Sequence, residues 1–132
     1  MAGEGFVSRP SPYPVRETLD RLVAALGKRN LTVFARVDHA AVAHAAGFSL
    51  RPTEVVIFGN AKGGTPLMQD RQTAGIDLPL RALVREDEVG KAWLGYNDPH
   101  WIAVRHGLGA ASAAAVTAMA ALLSAIAQEV TA

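Results

Sequence analysis

The chain has 132 residues, a length that suits one domain and leaves little room for two. With 50% hydrophobic and 19% charged residues it has material for a core and no signature of disorder. Thirteen basic against twelve acidic residues give a net charge of +1, which supplies no long-range pull on nucleic acid or anionic lipid. The lack of cysteine excludes disulfides, thiolate zinc sites and a cysteine nucleophile.

The opening Met1-Ala2-Gly3-Glu4-Gly5-Phe6 has no basic start followed by an apolar run. The expectation is therefore a soluble, cytoplasmic protein without a secretory signal. Gly5 to Arg9 suits a short first strand ahead of Pro10, Pro12 and Pro14. Pro14 then fits the first turn of a helix, where a missing N–H costs nothing. Val15, Leu19, Leu22, Val23 and Leu26 share one face of that helix, Glu17 and Arg21 pair on another, and Gly27 is its expected stop.

Leu31, Val33, Ala35 and Val37 alternate with Thr32 and Arg36, as in a strand half-exposed to water. Asp38 is the expected N-cap of a short helix from His39 to Ala46, ended by Gly47. Glu54 to Phe58 is an almost unbroken apolar run, which suits an interior strand. Gly59 to Gly64 reads as a loop, with Thr65 and Pro66 as N-cap and first residue of a helix reaching about Thr73.

Asp77-Leu78-Pro79 introduces a strand near Leu80 to Arg85; Glu86-Asp87-Glu88 turns it, and a second strand runs from about Gly90 to Tyr96, an antiparallel hairpin. Asn97-Asp98-Pro99 starts another capped helix, and Gly107 and Gly109 separate it from an alanine-rich helix over about 110–130. Ala110 to Ala127 carries no charge over 18 residues. Its large apolar residues Val116, Met119, Leu122, Leu123, Ile126 and Val130 nevertheless fall within an arc of roughly 120°. Such a stripe predicts a helix docked on a core, not a lipid-exposed span. The order predicts a single α+β domain over residues 1–132. It is a two-layer sandwich with about five strands in a mixed or antiparallel sheet, helices mainly on one face and right-handed crossovers wherever strands run parallel.

Chemistry is sparser. The segment Gly59-Asn60-Ala61-Lys62-Gly63-Gly64-Thr65 joins a strand to a helix, where free N–H groups and glycines favour a small polar or anionic ligand. Lys62 precedes the glycine pair, so the loop is not of the Walker type; it also reads as a plain helix-entry turn. His39, His44, His100 and His106 lack the spacing of a helical metal site, so they are expected to be exposed or capping, and no metal or cofactor is expected. Asp38 and Asp98 suit caps, while Asp77 is free to act as a general acid or base. No serine sits in a nucleophile elbow. Trp93 and Trp101 suit a pocket, an interface or the core.

Thr53-Glu54-Val55-Val56-Ile57-Phe58-Gly59-Asn60, continuing through Gly64-Thr65-Pro66-Leu67-Met68, resembles the "domain of unknown function 302" family. So do Ile76-Asp77-Leu78-Pro79-Leu80, and Gly90-Lys91 with Tyr96-Asn97-Asp98-Pro99, over about residues 5–108. The resemblance implies a small α+β domain that pairs into homodimers, with no agreed activity, cofactor or catalytic set. Two departures matter: Leu80 follows Pro79 where some relatives have cysteine, and Ala61 stands where many have proline. Three functions stay open. One is a homodimeric binding module using Asn60, Lys62, Gly63, Gly64 and Thr65 with Asp77 beside them. The others are an enzyme using Asp77 or a histidine as acid/base, and a structural domain pairing through the alanine-rich helix or the tryptophans. Nucleic acid and membrane are not expected partners.

Overall fold

In the computed structural model, which describes residues 3–132, five strands and five α-helices follow the expected order, and a 3-10 helix that was not expected precedes the fourth strand; Met1 and Ala2 of the no-signal reading lie outside the described residues. They are β1 (Phe6–Ser11), α1 (Val15–Lys28), β2 (Thr32–Asp38), α2 (His39–Ala45), β3 (Thr53–Gly59) and α3 (Ala61–Asp70). A 3-10 helix (Gln72–Asp77), β4 (Leu80–Glu86), β5 (Ala92–Asn97), α4 (Pro99–His106) and α5 (Ala113–Val130) complete it. The strands form one sheet in the order β1-β5-β4-β3-β2, and all four neighbouring pairs are antiparallel. The fold is α+β. The parallel crossovers allowed by the sequence do not occur between neighbouring strands.

Alternation along the strands sorts the two faces. Val56 and Phe58 of β3, Ala82 and Val84 of β4, and Ala92 and Leu94 of β5 are buried, and they share a core with Leu19, Leu22 and Leu26 of α1 and Leu123 and Ile126 of α5. The alternate residues Val55, Ile57, Leu83 and Trp93 stay half-buried on the opposite face. Gly95 belongs to that face because the Phe6 ring lies over it: a Cβ there would meet the ring at 2.2 Å.

Carboxylates cap the starts of α2 and α4. The Asp38 carboxylate accepts from the Ala41 N–H at 2.9 Å, and α2 closes with Gly47 left-handed while Phe48 N–H reaches back to the Ala43 carbonyl. Asp98 accepts from the His100 N–H, Pro99 takes the first position of α4, and left-handed Gly107 ends it.

Three expectations need correcting. Pro14 is the extended residue before α1, not its first helical residue, and the helix passes through Gly27 to Lys28 before Asn30 turns the chain with φ 57°. A helical glycine costs only about 1 kcal/mol against alanine, less than burying Leu26 fully one position earlier gains. Arg21 does not pair with Glu17. Its guanidinium donates to the carbonyls of Val130 (2.8 Å) and Glu129 (3.2 Å), the unsatisfied end of α5. Finally, α3 begins at Ala61, six residues ahead of Leu67, so Gly63, Gly64, Thr65 and Pro66 are helical. The reason is that Asn60 takes the cap, and the early start carries Leu67 into the core with no exposed surface.

The stripe on α5 packs as expected: Val116, Met119, Leu123, Ile126 and Val130 are buried while Thr117, Ser124 and Gln128 face out. By length and composition alone the helix could cross a membrane; it lies against α1, α3 and α4.

Three carboxylates staple this arrangement and give it an acid limit. Asp70 is held below the ordinary aspartate value of 3.8 by the Ser112 hydroxyl and then the Gly109 N–H; the Trp93 indole N–H and the Lys91 N–H do the same for Asp87. Hydrogen bonds from Arg29 and Lys28 depress Glu129 from 4.5. A depressed carboxylate stabilises the fold above its unfolded value, and the contribution disappears as pH falls through the folded one. The urea midpoint should therefore stay level from about pH 7 to 5 and drop below about pH 4. Ser112→Ala should flatten that drop.

Candidate functional site

β3 is the rail for the site. Its core-facing Val56 and Phe58 are fully buried, which fixes where the chain leaves the sheet at Gly59. Asn60 follows in extended conformation, and its Oδ1 accepts from the Gly63 N–H at 2.8 Å. That cap leaves the Ala61 and Lys62 N–H groups without helical partners. The expected open loop of convergent donors is thus a formed helix start offering two. A Cβ on Gly63 would lie 3.3 Å from Asn60 Oδ1, so glycine keeps the cap uncrowded.

This helix start borders a cavity of about 620 Å³. Asn60, Lys62, Gly63, Gly64 and Thr65 all line it. The rest of the wall is apolar: Leu31, Phe34 from a bulged part of β2, Met68, Leu78, Pro79 and Leu80, and Ala115, Ala118, Met119 and Leu122 of α5. Among the described residues Lys62 is the one ionisable side chain in the lining. The polar segment of the lining is legible in the sequence; the apolar wall is not, because its residues lie on separate elements. Phe34, a large residue on the exposed side of an edge strand, was the only local signal.

A second cavity of about 510 Å³ lies between α1 and α2 and carries both signs of charge, with Arg36 Nε 2.6 Å from the Glu54 carboxylate.

Asp77 lines neither cavity. It ends the 3-10 helix, and Arg105 Nη1 donates to its two oxygens at 2.8 and 2.9 Å. His106 Nε2 lies 2.6 Å from Oδ2, and His106 Nδ1 lies 3.0 Å from the Thr73 hydroxyl. With 7% of its side chain exposed, His106 is not the exposed or capping residue expected; His39, His44 and His100 are exposed. Spacing along one helix could not reveal a partner on another element. Among the described residues no group of three His, Asp or Glu is placed to hold a metal. Trp101 packs over Gly5, and the Trp93 indole donates to Asp87 at 2.9 Å.

Residues 7–127 match the model of a family described as domain of unknown function DUF302. A crystal structure of an uncharacterized conserved DUF302 protein from Bacillus stearothermophilus has the same fold, with a TM-score of 0.86 at 15% identity over 96% of this chain and 98% of that one. Two curated relatives are 51% identical over 115 residues, or 87% of this chain: "Fluoride-specific ion channel FluC 1" of Brucella suis and "Fluoride-specific ion channel FluC 2" of Brucella melitensis. This chain spans only 45% and 43% of their lengths.

Proposed function

We propose a function for this chain, which belongs to the DUF302 family: it is a homodimeric, cytoplasmic binding module that seats a small ligand in the cavity at the start of α3. The supporting observation is the cavity itself. Its volume of about 620 Å³ is that of ordinary small-molecule sites, and it joins apolar walls to a few polar groups from the start of α3. The walls correct the emphasis of the sequence, because the ligand needs an apolar body as well as a polar group.

Thermal-shift screening with small amphiphiles, steroids and nucleotides tests this. At a ligand concentration one hundred times Kd, about 2.7 kcal/mol of stabilisation is expected. Ala118→Trp, an exposed position on the cavity wall, should abolish the shift. A screen without shifts would end the reading. Pairing is supported by the exposed Phe34, Val42, Phe48 and Leu50; a monomer in light scattering at every concentration would remove that part. The enzyme reading, with Asp77 or a histidine beside the glycine segment, has less support: Asp77 and His106 line neither cavity, and His44 lines the second one, away from that segment.

The relatives favour a second reading, in which the domain serves as an accessory unit beside a fluoride-conducting channel. Fluoride efflux from vesicles holding such a longer protein, with and without this domain, tests it; unchanged efflux would remove it.

A further inference from the structure

We propose that the cavity at the start of α3 selects an amphiphilic monoanion, of the class of a free aliphatic carboxylate, with Lys62 facing the head group. This rests on the reading of the cavity as a ligand site and adds the chemistry of the ligand.

Polarity in the cavity is segregated by element. Asn60, Lys62 and Thr65 lie within six consecutive positions at the start of α3, whereas Phe34, Leu78, Met119 and Leu122 come from β2, the segment before β4, and α5. A ligand filling this space must therefore be polar at one end and apolar along its body. The sign of the head follows from the charges. Among the described residues Lys62 is the one ionisable residue of the lining, and no aspartate or glutamate borders the space. Among the described residues Lys62 has no ion-pair partner, unlike Arg36, which Glu54 occupies in the mixed-charge cavity. A cationic head would meet repulsion with nothing to offset it. A ligand charged along its length would bury charge against Met119 and Leu122 without partners, a large desolvation cost. A single anionic head on an aliphatic tail meets both conditions. The unpaired N–H groups of Ala61 and Lys62 add favourable dipoles beside it. The flexible thioether of Met119 lets the wall adapt to the tail.

Calorimetric titration of the full chain with octanoate, decanoate, decanol and decyltrimethylammonium, each below its micelle threshold, tests the proposal. Affinity should rise about fourfold for each added methylene, and decanoate should bind while decyltrimethylammonium does not. Lys62→Ala should weaken decanoate about threefold to fivefold, less at high salt, and leave decanol unchanged. Lys62→Glu should reverse the preference between anion and cation. Equal binding of decanol and decanoate, unmoved by Lys62→Ala but lost in Ala118→Trp, would overturn anion selection while leaving the cavity as a ligand site. No binding by any of the four would overturn this proposal, and the wider screen with steroids and nucleotides then decides whether the cavity is a ligand site. An anionic lipid likewise joins an anionic head to aliphatic tails, so phosphatidylglycerol vesicles form a separate arm. Sedimentation with vesicles but no response to decanoate would overturn the free carboxylate.

Discussion

Phe58→Ala is expected to remove about 3–5 kcal/mol of folding stability. Phe58 has no exposed surface, and its strand register places it between Val33 of β2 and Leu80 of β4 on the core face. Truncation removes the transfer free energy of a ring and leaves a void that neighbours held in the sheet ladder cannot collapse to fill. Domains of this kind have only about 5–15 kcal/mol in total, so a large share of the reserve would go. Phe58→Leu, which keeps most of the volume, should cost about 1–2 kcal/mol. Urea denaturation checks both: the midpoint should fall with the slope unchanged, because the surface exposed on unfolding is nearly the same. A loss below about 1 kcal/mol for the alanine variant would mean that β3 is not the packed interior strand that positions Asn60.

How much of this could be read in advance follows from how far each signal reaches along the chain. The Asp38 and Asp98 caps were legible because the donor and acceptor lie two or three residues apart. The stripe on α5 was legible because burial imposes its own period on the sequence. The start of α3 differs from the expected one because two local patterns compete. Thr65-Pro66 has the form of a cap and first-turn proline, but Asn60 with the Gly63 N–H also closes a cap. Local propensity favours the later start, since Gly63 and Gly64 cost about 1 kcal/mol each and Pro66 leaves the Lys62 carbonyl without its usual donor. The earlier start prevails through tertiary packing, with Leu67 sealed in the core. The cavity is a property of the fold, as Phe34 and Met119 are 85 positions apart by their numbers (119 − 34). Asp77 could be singled out as uncommitted, but its partners 28 and 29 residues on could not be foreseen.

Those partners give Asp77 an expected role in the cavity wall. Arg105 and His106, at the end of α4, tie its carboxylate down, and the next two residues, Leu78 and Pro79, form part of the wall. Asp77→Ala should cost about 2–3 kcal/mol, because it leaves the largely buried His106 nitrogen without its partner and removes a charge-assisted hydrogen bond. Arg105→Ala should cost less than about 1 kcal/mol, since that side chain is 47% exposed and its pairing is screened by solvent. Thr73→Ala, which removes an exposed hydroxyl, should also cost less than about 1 kcal/mol. A double-mutant cycle on Asp77 and His106 separates their coupling from the effect of truncation and should return about 1–3 kcal/mol. If the pair fixes the wall, Asp77→Ala should also weaken any ligand of the cavity under conditions where the variant remains folded, whereas Arg105→Ala should not. Equal and small losses for all three variants would mean that the segment before β4 is held by Leu78 and Leu80 packing alone. The carboxylate would then be incidental to both the fold and the site.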